Sequence, residues 1–138
     1  MINWLDKREE GWEGTFQSKF FHNEDEDQLF ICIENASCAD YAEKCVEHLN
    51  ALPKEIIQEI CKGIIQASEM DEAFDSPEDI LNYCWFTTMY VSVPEDESKL
   101  SYILEGEGEW GELGSEVIGF VIKNNQLVYV GVDYFDYL

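Results

Sequence analysis

Two apolar runs, Glu116–Lys123 and Gln126–Val132, stand on either side of the pair Asn124-Asn125. Asparagine tolerates positive φ, and a two-residue loop between apolar runs is the strongest local signal for an antiparallel hairpin. A strand over Leu100–Glu105 precedes it, so the C-terminal third of the chain reads as sheet. Between that strand and the hairpin lies Gly106-Glu107-Gly108-Glu109-Trp110-Gly111-Glu112-Leu113-Gly114, an acidic glycine-rich run unlike anything else in the sequence.

Upstream, the periodicity changes twice. Asn3 and Gly11 have the identities of a helix cap and a helix stop, which predicts a short N-terminal helix through Glu10. Trp12–Phe21 alternates, with Trp12, Gly14, Phe16, Ser18 and Phe20 on one side and Glu13, Thr15, Gln17 and Lys19 on the other. Gln28–Glu34 alternates too, with Leu29, Ile31 and Ile33 opposed to Phe30 and Cys32, so the two segments are expected to pair as a hairpin. Ala42, Cys45, Val46 and Leu49 then recur at helical spacing behind a Ser37 cap. Ile56, Ile57, Ile60, Cys61, Ile64 and Ile65 make a wider apolar stripe behind Pro53, marking a central buried helix. Ser76-Pro77-Glu78-Asp79 opens a third, short helix. Cys84–Val93, rich in aromatic and β-branched residues, returns to strand. Strands, helices and strands in blocks imply one α+β domain over residues 1–138. An antiparallel sheet of about six strands is expected, with two to three helices packed on one face.

Charge narrows the function. The 138 residues carry 30 acidic and 8 basic side chains, a formal charge of −22. A phosphate-backbone binder needs clustered Lys and Arg, so nucleic acid is excluded as a partner, and an anionic membrane surface is disfavoured. A basic protein partner, a cation or simple solubility is favoured. Hydrophobic residues at 46% still supply a core, and no apolar run approaches the ~20 residues that span a bilayer. Five cysteines, odd in number, without CxxC spacing and mostly on apolar faces, imply reduced thiols and a cytoplasmic location. The N-terminus lacks the layout of a signal peptide.

The residues able to carry chemistry are few. His22 and His48 are the only histidines. His48 shares a helix face with Cys45 alone, too small a set for zinc, and reads as a surface residue near a helix C-terminus. Asn23, Asp25, Asp27 and Glu34 fit four positions of a calcium loop, but Gln28 stands where that loop needs glycine, and a solvated hairpin tip is the plainer reading. Glu105, Glu107 and Glu109 alternate and would line one face of an extended segment. Such carboxylates can hold a divalent metal or do acid–base work, so a metal-dependent hydrolase or transferase is one alternative. A solvated edge is the other reading, since like charges on one face repel. Trp110 among them is either a core anchor that folds the loop inward or an exposed hot spot, the anchor being preferred. Glu105, Glu107, Glu109, Trp110 and Glu112 are therefore the candidate partner-binding residues. No catalytic residue, metal site or cofactor is identified.

From Trp12-Glu13-Gly14, through the helices, to Gln126-Leu127-Val128-Tyr129-Val130-Gly131, the chain resembles a group of small acidic bacterial domains of unassigned function that is linked to toxin–immunity gene neighbourhoods. That group carries a Glu-Cys-x-Trp-x-x-Glu-His-Gly run before the final hairpin. Glu107-Gly108-Glu109-Trp110 matches its first half except for the cysteine. Glu112-Leu113-Gly114 departs from the second half, with one residue fewer and Leu113 in place of histidine, so any chemistry of that histidine is lost here. The resemblance implies a non-enzymatic immunity protein that neutralises a basic toxin by contact. A stand-alone regulatory or scaffold domain is the remaining alternative.

Overall fold

In a computed structural model, residues 1–24, 28–68, 74–93, 96–108 and 117–137 are described. The Asn124-Asn125 pair takes φ of 54° and 69°, the geometry of a two-residue hairpin, and joins two strands as its sequence requires. The strands are β1 (Asn3–Arg8), β2 (Gly11–Phe16), β3 (Leu29–Ile33), β4 (Cys84–Val91), β5 (Tyr102–Gly108), β6 (Ile118–Lys123) and β7 (Gln126–Gly131). They form one seven-stranded sheet in the order β1-β2-β3-β4-β5-β6-β7. The fold is α+β.

Two features differ from the sequence-based expectation. The first is β1, predicted as a helix. Six residues nucleate a helix poorly, whereas the same segment pairs along β2 with one register shift, between Trp4 and Asp6. Trp4 also packs edge-on against Trp12 at 5.5 Å, and Lys7 sits 4.9 Å from the centre of the Trp12 ring. This strand raises the count from about six to seven. The second is the β3–β4 ladder, which is parallel (Phe30 with Thr88, Ile31 with Met89, Cys32 with Tyr90), while the remaining pairs are antiparallel. The sheet is mixed.

A parallel pair cannot be closed by a tight turn, and here helices make the crossover. α1 (Ala39–Asn50) and α2 (Lys54–Ala67) bury the predicted stripes: Ala42, Cys45, Val46 and Leu49 on one, Ile57, Ile60, Cys61 and Ile64 on the other. A 3₁₀ turn (Ala36–Cys38) precedes α1, and Asn35, not Ser37, caps it by accepting from the Ser37 N–H. The segment opened by Ser76-Pro77 is a 3₁₀ helix, Pro77–Asn82, in which the Asp79 carboxylate accepts from the Ser76 N–H at 3.2 Å.

The helices pack on one face of the sheet. Phe16, Leu29, Ile31, Ile33, Phe86, Met89, Leu104, Phe120 and Ile122 point to them and form the main core. Gly106 lies on this inner side, where a Cβ would come within 2.9 Å of the Phe86 ring. Side chains on neighbouring strands alternate in phase, so Phe30, Cys32, Thr88, Tyr90, Ile103, Glu105, Gly119 and Val121 share the outer face.

Ile60 is fully buried at the centre of the helix layer. Ile60→Ala is expected to lower the unfolding free energy by ~2–5 kcal/mol, through lost burial and an unfilled cavity. Denaturant melts check this, and a loss below ~1 kcal/mol would mean that α2 does not anchor the core.

Candidate functional site

The outer face of the sheet gathers the candidate carboxylates. Strand alternation around Gly106 sends Glu105 and Glu107 to this side, as their spacing predicts. Glu105 is half-buried between Thr88 on β4 and Gly119 on β5's other neighbour, β6. Glu107 is exposed and stands opposite Trp85. Glu13 on β2 joins them one row away, beside Cys32. Glu109, Trp110 and Glu112 lie outside the described residues, and so do Asp25 and Asp27 of the calcium-like run.

A C-terminal 3₁₀ turn (Tyr134–Tyr137) folds back over β6 and β7 and holds Glu105. The Tyr134 ring lies over Gly119, where a Cβ would meet it at 2.8 Å. The missing side chain lets the ring reach the sheet, so that its hydroxyl donates to Glu105 Oε2 at 2.6 Å. Ile103, Val121 and Tyr134 close a small second core there. Phe135 packs edge-on against Tyr90 at 5.3 Å, and Tyr137 stacks on Tyr129 at 3.9 Å.

The ionisable neighbours are held in their protonated forms. Burial, and then the Glu105 carboxylate, push Tyr90 up to about 12. Tyr134 is raised further, by burial first and then by its bond to Glu105. The Cys32 thiol is raised by burial and by Glu13 and Glu105. At neutral pH this face therefore presents carboxylates, neutral hydroxyls and a neutral thiol, which is a poor nucleophile. Beside Glu13 and Cys32 the same face also carries Asp6, paired at 2.8 Å with Arg8, and it includes open aromatic rings. Phe30 is 41% exposed and Phe135 is 56% exposed. Carboxylates beside open aromatic rings suit a cationic side chain, which gains from both charge and ring.

Cys32, Phe30, Trp85, Tyr90 and Tyr134 were not among the sequence candidates. Their signal was present in part: Phe30 and Cys32 fall out of phase with Leu29, Ile31 and Ile33, which marks a strand with apolar side chains on both faces. Tyr134 carried no such signal, because only the folding back of the C-terminal turn brings it to Glu105.

The histidines lie elsewhere. His22 is exposed, and its carbonyl accepts from the Phe86 N–H at 2.8 Å. His48 was expected on the surface but is half-buried, with Nδ1 2.8 Å from the Tyr102 hydroxyl. Burial lowers its pKa, favouring the neutral ring. The difference arises because α1 packs on the inner face of the sheet, where Tyr102 is fully buried. Among the described residues, no three of His, Cys, Asp and Glu are grouped closely enough to hold a metal ion. Nor, among them, is any helix long and apolar enough to cross a membrane.

Residues 3–137 match the family model described as a domain of unknown function, DUF6985. No curated protein and no solved structure matches the chain.

Two outcomes are expected of this arrangement. Gly119→Ala should cost ~1–3 kcal/mol, since the new methyl displaces Tyr134 and frees the C-terminal turn. Denaturant melts read the cost, and an unchanged midpoint would show that the turn is not seated on Gly119. The second concerns alkali. All five cysteines are free. Burial pushes Cys45, Cys61 and Cys84 from an ordinary 9.0 up to about 12. Tyr41 and Tyr90 rise from 10.0 to about 12. Raised folded-state values mean that this stability is whole below the ordinary values and is lost as pH climbs towards the folded ones. The denaturant midpoint should therefore fall from about pH 9 upward, and a midpoint constant to about pH 11 would contradict these burials.

Proposed function

We propose that this chain, which belongs to the DUF6985 family, is a non-enzymatic acidic binding protein that engages a basic protein through the outer face of its sheet. The observation that carries the reading is the make-up of that face. Glu13, Glu105 and Glu107 stand among Phe30, Trp85, Tyr90 and Phe135, while the helices pack on the opposite side. Aromatic rings with polar tips or polar neighbours are the usual anchors of protein interfaces. Arginine and lysine side chains are their natural complement here, because a carboxylate and an open ring lie within one small area.

The overall charge of −22 supports the same partner class. Self-repulsion opposes folding, so such a charge is useful for solubility and for drawing in a cation from a distance. Resemblance to domains of toxin–immunity loci makes a cationic toxin domain the partner of choice, neutralised by contact in the cytoplasm. Five free thiols fit a reducing compartment.

The test is kinetic. With the partner isolated by affinity capture and purified, the on-rate should exceed ~10⁷ M⁻¹s⁻¹ at low salt. It should fall roughly tenfold or more as screening shortens the Debye length. Glu105→Gln with Glu107→Gln should slow association, whereas Phe30→Ala should chiefly speed dissociation. An on-rate indifferent to salt would remove charge capture from the account and leave the charge to solubility alone.

A further inference from the structure

The two edges of the sheet are built differently. β1 carries Asp6, Lys7 and Arg8. Charged side chains on an edge strand are an ordinary device against pairing with a foreign strand. β7 has neither a charge nor a proline along Gln126–Gly131, in a chain of which 28% is charged. Each edge ladder contains one register shift, so the difference lies in the side chains. Val128, in the middle of β7, is 46% exposed. Among the described residues no further strand pairs with β7. α2 packs on its inner side, where Gly63 meets Val130, and the C-terminal turn packs on its outer side, where Tyr137 stacks on Tyr129. Among the described residues the hydrogen-bonding edge is left between them.

We infer that β7 is a docking edge that takes an extended segment of a basic protein as an eighth strand. Charge identifies the occupant. A second copy of this chain would bring a further −22 against the first, and long-range repulsion opposes that approach. A cationic strand gains from the same field. Asp133 and Asp136, both exposed, belong to the segment that folds over the outer side of β7. An added strand presents alternate residues to each side, so its basic residues face these aspartates and its apolar residues face the α2 side. Main-chain hydrogen bonds then give affinity, and the alternation gives selectivity. The inference shares the basic partner with the preceding reading but uses a different surface, so the two can fail separately.

The probe is a synthetic ten-residue peptide alternating lysine with valine, and its control is the same peptide N-methylated at alternate residues. Each is titrated at low salt into the isotopically labelled full chain, followed by amide shifts and hydrogen exchange. Shifts and slowed exchange concentrated on Gln126–Gly131 are expected, with binding at least tenfold weaker for the N-methylated control. Val128→Lys, which puts on β7 the kind of charge that β1 already has, should weaken binding at least tenfold at an unchanged melting temperature. Equal binding of both peptides would overturn the inference, since main-chain pairing would not be the link. Binding of neither would overturn it as well. Shifts confined to Phe30, Trp85 and Glu107 would overturn it while leaving the outer-face reading in place. A dimer of the chain alone in sedimentation, made monomeric by Val128→Lys, would assign the edge to a second copy instead.

Discussion

The parallel pairing of β3 with β4 is the constraint on which the rest of the molecule depends. β1 to β3 and β4 to β7 are each a run of consecutive antiparallel strands, and this ladder is the seam between them. Parallel neighbours need a crossover, which here runs through α1, α2 and the Pro77–Asn82 turn. One crossover places its helices on one side. That side becomes the main core, and among the described residues the other side of the sheet is left to the C-terminal turn and to solvent. The interface proposed here is thus a by-product of connectivity: the helix-free face exists because a single crossover joins the two halves.

On that face a small group of residues decides what is presented. Gly119 makes room for the Tyr134 ring, the ring covers Ile103 and Val121, and its hydroxyl fixes Glu105. A charge-assisted bond of this kind both orients the carboxylate and keeps the tyrosine neutral. Glu107, two residues on, has no such restraint among the described residues and stands free beside Trp85. One carboxylate is positioned and the other is available. Around them Tyr90, Tyr134 and Cys32 are all pushed towards holding their protons.

Much of the fold was legible in the residues. The helical stripes behind Pro53 and over Ala42–Leu49, the asparagine hairpin and the two-sided character of Leu29–Ile33 are local patterns, and each became the element it predicts. The N-terminal segment was misread because its cap-like Asn3 and stop-like Gly11 weigh little against a ladder along β2 and the packing of Trp4 on Trp12. Of the candidate site, Glu105 and Glu107 were legible from strand alternation. Tyr134 and Tyr90 were not, because their relation to Glu105 crosses strands or returns from the end of the chain.

Sequence alone therefore determined the two long helices, the acidity and the phase of the strands from β2 onward, since periodicity and turn chemistry act over a few residues. Tertiary structure decided the strand order, the parallel seam, the seventh strand and the face on which the helices lie. Those depend on which distant segments find one another, and the free energy of such pairing comes from side chains that no local window contains. The outer-face cluster of Glu105, Tyr134 and Tyr90 is of the second kind: its carboxylate could be named from alternation, but its bond to Tyr134 is set by packing across 29 residues of chain.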